Sequence, residues 1–256
     1  EVDAEPISGL VAPTPGEVSG NSSYGYALGR STNAAVKAAN KLLAAGDTIH
    51  ITSEPFSVGR TDYAAGTFVI EADAGTADRV AAMADQLGLN FTGLRTEPSA
   101  AMDALTLPKV GMYKSYVASM DEGWTRWVLE DYGFDLVSLS DADLRSGNLS
   151  QFDAIVLPHP DGRVYFKDSV QKMLTGHSKG SMPDQYTGGM RLQGAYALEQ
   201  YAANGGTILT FGDAGDFAIQ QFGLPIRDIV VSASAKDFSI PGSLIRATVN
   251  TNDPLA

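Results

Sequence analysis

The sequence predicts an α/β fold: a mainly parallel sheet flanked by helices, arranged as two related α/β halves. Three observations carry that expectation. Short apolar runs of strand length alternate with helical patterns along most of the chain. Glycines stand where each helical pattern stops, at Gly46, Gly88, Gly133 and Gly223. Gln151-Phe-Asp-Ala-Ile-Val-Leu-Pro is continuously apolar at its centre, as in strands covered on both faces of a parallel sheet.

Residues 1–23 are rich in Pro, Gly, Ser and acidic residues and read as an incoming linker. The first half then runs over 24–107. Tyr24 to Leu28 reads as a strand. Ser31 or Thr32 can cap a helix from Asn33 to Ala45, with Val36, Ala39, Leu42 and Leu43 on one face. Asp47 to Thr52 alternates as a strand, Gly59 to Ala65 is a polar turn, and Gly66 to Glu71 is another strand. Thr76 is placed to cap a helix over 77–87, followed by a strand from Asn90 to Leu94. Pro98 to Pro108 reads as a connector.

The second half, 108–256, opens on strand, loop, helix, strand between Lys109 and Leu139. Ser119 can cap its helix, and Glu122 stands three residues on, the capping-box spacing. Trp124, Trp127, Val128 and Tyr132 share one helical face, which is expected to be core. Residues 160–189 read as loop-rich, and so long a loop inside a compact domain is usually functional or flexible. Met190 to Ala203 reads as a helix, Thr207 to Phe211 as a buried strand, and Phe217 to Phe222 as a short helix. Strands are expected at Ile226 to Ser232 and Ser243 to Val249.

Composition narrows the function. Net charge is -12 and pI near 4.6, with no dense run of Lys and Arg. That argues against partners that present a phosphate backbone. Cysteine is absent, which excludes disulfides, thiolate metal sites and cysteine nucleophiles. No stretch reaches the roughly 20 apolar residues that cross a bilayer, so neither nucleic acid nor membrane insertion is expected. Both ends read as internal to a longer polypeptide, with no signal peptide in this piece.

Six stretches in order form a specific pattern: Val110-Gly-Met-Tyr-Lys-Ser, Met120-Asp-Glu-Gly-Trp-Thr-Arg-Trp-Val-Leu-Glu, Phe152-Asp-Ala-Ile-Val-Leu-Pro, Pro183-Asp-Gln-Tyr-Thr-Gly-Gly, Asn204-Gly-Gly-Thr-Ile-Leu-Thr and Pro241-Gly-Ser-Leu-Ile-Arg. Together they resemble the carboxyl-terminal region of large bacterial zinc carboxypeptidases, of the carboxypeptidase A-like metallopeptidase family. The run from Met120 to Glu130 carries most of the weight. The resemblance implies a class I glutamine amidotransferase-like (flavodoxin-like) module over 108–256, truncated at its end. It also implies a preceding peptidase domain as partner within one polypeptide, and an extracytoplasmic location.

Zinc would belong to that parent domain, and no cofactor is expected here. The family's His-x-x-Glu zinc pair is missing: His159 is followed by Pro-Asp-Gly, His177 by Ser-Lys-Gly, and His50 stands alone on a strand. Amidotransferases of this fold place a Cys at a tight strand-to-helix turn. The matching turn here is Phe211-Gly-Asp-Ala-Gly-Asp, without Cys, Ser or Thr. No residue is therefore assigned as catalytic.

The candidate ligand-binding residues are Tyr113, Ser115, His159, Tyr186, Gly188, Gly189 and Asp213. Tyr113, Ser115 and His159 follow strands at the end where α/β sheets bind ligands. His159 is also the best-placed titratable group, although a lone loop His more often only forms hydrogen bonds. Tyr186-Thr-Gly-Gly can be a lid with glycine hinges or only a turn before the next helix. Asp213 can act as an acid/base, bind a cation, or cap the short helix that follows it, and the cap is favoured. Asp121 and Glu122 are better explained by capping and the helix dipole than by acid/base work. Arg126 pairs with Glu122 at i, i+4. The function expected is a non-catalytic accessory region that packs on the peptidase domain or binds a peptide or small molecule. The rival readings are an independent hydrolase using His159 with Asp213 or Asp121, or a small-molecule-binding domain built on the loops around His159.

Overall fold

The computed structural model describes residues 8, 9, 14–160, 169–177, 180, 182–230, 234, 236, 238, 239, 242 and 245–248. Two main sheets carry the chain. The first holds six strands: β1 (Val18–Ser19), β2 (Gly25–Leu28), β3 (Ile49–Thr52), β6 (Phe68–Glu71), β7 (Phe91–Leu94) and β8 (Met102–Ala104). Between β3 and β6 a hairpin of β4 (Phe56–Val58) and β5 (Thr61–Tyr63) leaves the sheet. Helices α1 (Asn33–Ala44) and α2 (Thr76–Leu87) connect β2 to β3 and β6 to β7.

The strand order β1-β7-β2-β6-β3-β8 corrects the expected parallel pairing in this half. Only β1–β7 is parallel; β2 pairs antiparallel with β6 and β7, and β3 with β6 and β8. The strand-helix-strand rhythm is real, because β2 and β3 run the same way, as do β6 and β7. Each pair is split by a strand of the other, giving interleaved split β-α-β units. Alternation along the chain reports each crossover but not what slips between its strands.

The helices cover one face of this sheet, where Leu28, Ala38, Leu42, Ile70, Val80 and Phe91 are buried together. Val69, Leu94 and Phe56 fill the other face, under a hairpin whose Phe56 stacks on Tyr63 at 5.1 Å between ring centroids. Residues 18 and 19, inside the stretch expected to be linker, pair with Phe91 and Thr92. Thr76 is the first residue of α2 rather than its cap: its hydroxyl donates to Asp47 at 2.7 Å. His50, alone by sequence, meets Glu71 across the sheet at 2.7 Å.

The second sheet is wholly parallel, in the order β10-β9-β11-β12. Its strands are β9 (Lys109–Tyr113), β10 (Asp135–Leu139), β11 (Ala154–Leu157) and β12 (Thr207–Thr210). The flanking helices are α3 (Met120–Asp131), α4 (Asp141–Ser146), α5 (Ser169–Thr175), α6 (Arg191–Ala203) and α7 (Ala214–Gln221). A mixed α/β architecture with a parallel sheet flanked by helices is thus present. On one face Leu144, Leu157, Met173, Leu198 and Phe217 join one large core with α4 to α7. On the other, Val110, Met112 and Val156 are covered by Leu129, Phe134 and Leu136.

Helix α3 departs from expectation. Trp124 is 66% exposed and Trp127 60%, so neither is core, and Val128 is exposed as well. The inward side of the helix carries Glu122, Thr125, Arg126 and Leu129 instead. Periodicity identifies residues that share a face, but not which face turns inward. Here a paired carboxylate and guanidinium take the inner position, with Arg126 also donating to Ser138 of β10 at 3.1 Å. Residues 226–230 form no strand, and neither do 245–248; the rest of both strands expected there lies outside the described residues. The second unit meets the first through Lys37–Asp131 at 2.8 Å and Asn40 donating to the Tyr132 carbonyl at 2.9 Å.

Candidate functional site

The parallel sheet creates its own crevice. From β9 the chain crosses to β10 on one side, whereas β11 leads to β12 on the other. The carboxyl ends of β9 and β11 therefore face a gap that no crossover fills, the place where open α/β sheets bind ligands. A pocket lies there, lined among others by Tyr113, Ser115, Glu122, Asp141, His159 and Tyr186. Its cavity volume is about 50 Å³. Four of the seven sequence candidates, Tyr113, Ser115, His159 and Tyr186, thus meet around one cavity.

Each wall has a local cause. Ser119 caps α3, accepting from the Glu122 amide at 3.3 Å while its hydroxyl reaches the His159 carbonyl at 3.4 Å. The reciprocal half of the capping box is absent. The Glu122 carboxylate instead accepts from Arg126, through Nε at 2.8 Å and Nη2 at 2.7 Å. Ser115 turns its hydroxyl to the Val117 carbonyl at 2.8 Å, which holds the loop after β9. Tyr186 packs on Tyr116 with ring centroids 5.7 Å apart.

Under the pocket, Tyr113 donates to Asp141 Oδ1 at 2.7 Å, and the Gly189 amide donates to Asp141 Oδ2 at 3.0 Å. Burial, then the Asp141 charge and this hydrogen bond, push the Tyr113 phenol well above its ordinary pKa. Gly188 and Gly189 do not line the cavity. They brace it from behind, with the Gly188 amide donating to the His177 carbonyl at 2.9 Å. Arg145 donates to the carbonyls of Thr187 and Gly189, closing this layer.

His159 is oriented by the turn after β12. The Asp213 amide donates to its Nδ1 at 3.1 Å. An acceptor at Nδ1 means that the neutral ring carries its proton on Nε2. Asp213 lies behind the ring, its carboxylate 3.7 Å from Nδ1, and its side chain does not cap α7. Burial raises the Asp213 carboxyl pKa; His159 counters this, and Asp228 adds to it. Gly212, at φ 53°, is required here, because a Cβ would run into the His159 ring.

Sequence reasoning missed Asp141, Lys172 and His177 as neighbours of the site. A signal for Asp141 was present: Ser140 and Asp143 form a reciprocal capping box that opens α4 around it. His177 and Lys172 lie in the stretch read only as loop. Asp121 is exposed at the start of α3, and no hydrogen bond joins it to His159. Among the described residues, no three His, Asp or Glu side chains gather in a metal-binding group, and no helix is long and apolar enough to cross a membrane.

A general base acting through Nε2 must be unprotonated there, with a carboxylate holding the proton on Nδ1. Here the backbone amide enforces the opposite tautomer. Compared with protein-family models, curated proteins and solved structures, the chain has no match.

Proposed function

We propose that this chain is a non-catalytic, ligand-binding accessory region of a secreted zinc carboxypeptidase-like protein, following a peptidase domain in the same polypeptide. Its parallel unit is read as a class I glutamine amidotransferase-like module without the nucleophile of that fold. The parent activity would be metallocarboxypeptidase proteolysis. The observation that carries the non-catalytic part is the Asp213 amide donating into His159 Nδ1, which leaves the best-placed histidine a donor rather than a base. The six-stretch resemblance supports the parent family, and the pocket at the switch point supports ligand binding over scaffolding alone.

The test is an assay of the purified chain against peptide, ester and glutamine substrates, beside a thermal-shift screen of peptides and small molecules. No turnover, with a rise in Tm for some ligand, is expected. Turnover abolished by His159→Ala alone would establish the rival hydrolase and overturn the proposal.

A further inference from the structure

We infer that a groove at the amino ends of β11 and β12, at the opposite end of the sheet from the switch-point pocket, binds a neutral oligosaccharide. It runs between α6 and the loop joining α4 to β11, and its volume is about 620 Å³, within the range of ligand sites. Its floor is fixed by packing. Gly194 and Gly147 bring α6 and α4 into close contact, where added Cβ atoms would stand 3.4 Å from Leu144 and 3.6 Å from Ala197. The Tyr201 hydroxyl donates to the Phe152 carbonyl at 3.0 Å and closes the floor.

One wall is a single stripe of α6. Gln193, Tyr196, Gln200 and Asn204 follow one another at helical spacing and line the groove over about 16 Å, at 1.5 Å per residue. Tyr196 is 61% exposed. Among the described residues nothing hydrogen-bonds the side-chain amides of Gln193, Gln200 and Asn204, or the Ser150 hydroxyl on the facing loop. These groups are neutral, and each amide both donates and accepts. A sugar is their complement, since its hydroxyls do the same and its C–H face packs on an aromatic ring. The length of the stripe selects several linked rings over one. The charged residues of the groove do not favour an ion. Arg145 donates to the Thr187 and Gly189 carbonyls. Asp153 accepts from the Lys109 amide at 2.7 Å through one oxygen; the other can accept from a hydroxyl and repels anions. A peptide would need apolar pits for its side chains, whereas Leu149, Phe152 and Tyr201 are buried in the floor.

Cellotetraose, maltotetraose, glucose, tetragalacturonate and tetra-alanine serve as probes, titrated into the full chain at constant ionic strength. The backbone amide resonances of residues 193–206 report this groove and not the switch-point pocket, so a failure here leaves the function proposed above untouched. At least one of the two neutral tetrasaccharides should shift them saturably, and about tenfold more tightly than glucose. Tyr196→Ala should weaken that binding about tenfold, as the loss of the central aromatic contact. Gln200→Ala should weaken it severalfold, as the loss of one neutral hydrogen-bonding group. Both positions are exposed, so the circular dichroism spectrum of each variant should be unchanged. Binding by neither tetrasaccharide, or binding undiminished by Tyr196→Ala, overturns the site. Binding of glucose, tetragalacturonate or tetra-alanine as tight as that of the tetrasaccharides overturns the ligand class.

Discussion

Tyr113, at the end of β9, donates its hydroxyl to the buried carboxylate of Asp141 in the first turn of α4, at 2.7 Å. The contact locks two crossover connections of the parallel sheet together beneath the pocket. Tyr113→Phe keeps the ring and deletes the donor, leaving a buried carboxylate oxygen unsatisfied. That should cost about 1–3 kcal/mol. Asp141→Asn should cost more, because an amide that accepts from Tyr113 turns its NH2 toward the Gly189 amide, donor against donor. Urea unfolding of the two variants checks the order; equal stability to the parent chain in both would remove the bridge from the account.

In the first unit, Asp47 has no exposed side-chain surface and accepts from Thr76 and twice from Arg79, at 2.6 to 2.7 Å. Burial alone raises its carboxyl pKa. The hydrogen bonds from Arg79 and Thr76, with the Arg79 charge, outweigh that and lower it. A depressed carboxyl pKa contributes stability above the unfolded value of about 3.9, lost as pH falls through the folded value. Asp47→Ala should therefore destabilise by about 2–3 kcal/mol at pH 7, less than a fully buried pair because Arg79 is 34% exposed. The difference from the parent chain should shrink below about pH 4. Parallel urea titrations at the two pH values read this directly, and a pH-independent difference would rule out the ionised carboxylate as its source.

Much of this architecture could be read from the residues, and the failures have identifiable causes. Ser119 as the α3 cap, Glu122 with Arg126, the glycine stops and the apolar run of β11 are all local features, set by neighbours a few residues away. The insertion of β6 between β2 and β3 depends on pairing across the sheet, which alternation along one strand does not encode. Trp124 and Trp127 share a helical face, but hydrophobicity alone does not decide that this face turns inward. At the site, Tyr113, Ser115 and His159 follow from strand ends, a rule of topology, and Tyr186 from the Gly-Gly turn beside it. His177 reaches the site through the docking of the long loop, which nothing in its own neighbours reports, whereas Asp141 stands just past β10 beside the Ser140 and Asp143 capping box, a local signal.

Gly189 offers a sharper test of that docked layer. It sits at φ 63°, and a Cβ there would run into the Leu174 carbonyl and the Gly176 amide. Both the left-handed backbone and the steric contact oppose a side chain. Gly189→Ala should cost about 2–4 kcal/mol by adding a clash to backbone strain of roughly 1–3 kcal/mol, and it should detach the amide from Asp141. Gly205→Ala is the control, since it shares a positive φ of 94° but has open space around its Cβ. A comparable loss at both positions would mean that backbone strain, not packing against Leu174 and Gly176, sets the cost.

The exposed face of α3 makes the last prediction, and it runs opposite to the usual expectation for tryptophan. Trp124 and Trp127 meet edge to face, with centroids 6.0 Å apart and planes at 89°. Both are exposed, on a helix whose inner side carries Glu122, Arg126 and Leu129. Since these are the only tryptophans in the sequence, intrinsic fluorescence reports this face alone. The folded chain should emit at the long wavelengths of hydrated indole, and acrylamide should quench it nearly as well as in urea. Trp127→Ser should change stability by no more than about 0.5 kcal/mol, the range of surface substitutions, where burial in a core would make it cost 3–5 kcal/mol. A blue-shifted, quencher-resistant emission from the isolated chain would show that the face is covered in solution and that α3 packs differently from the arrangement described.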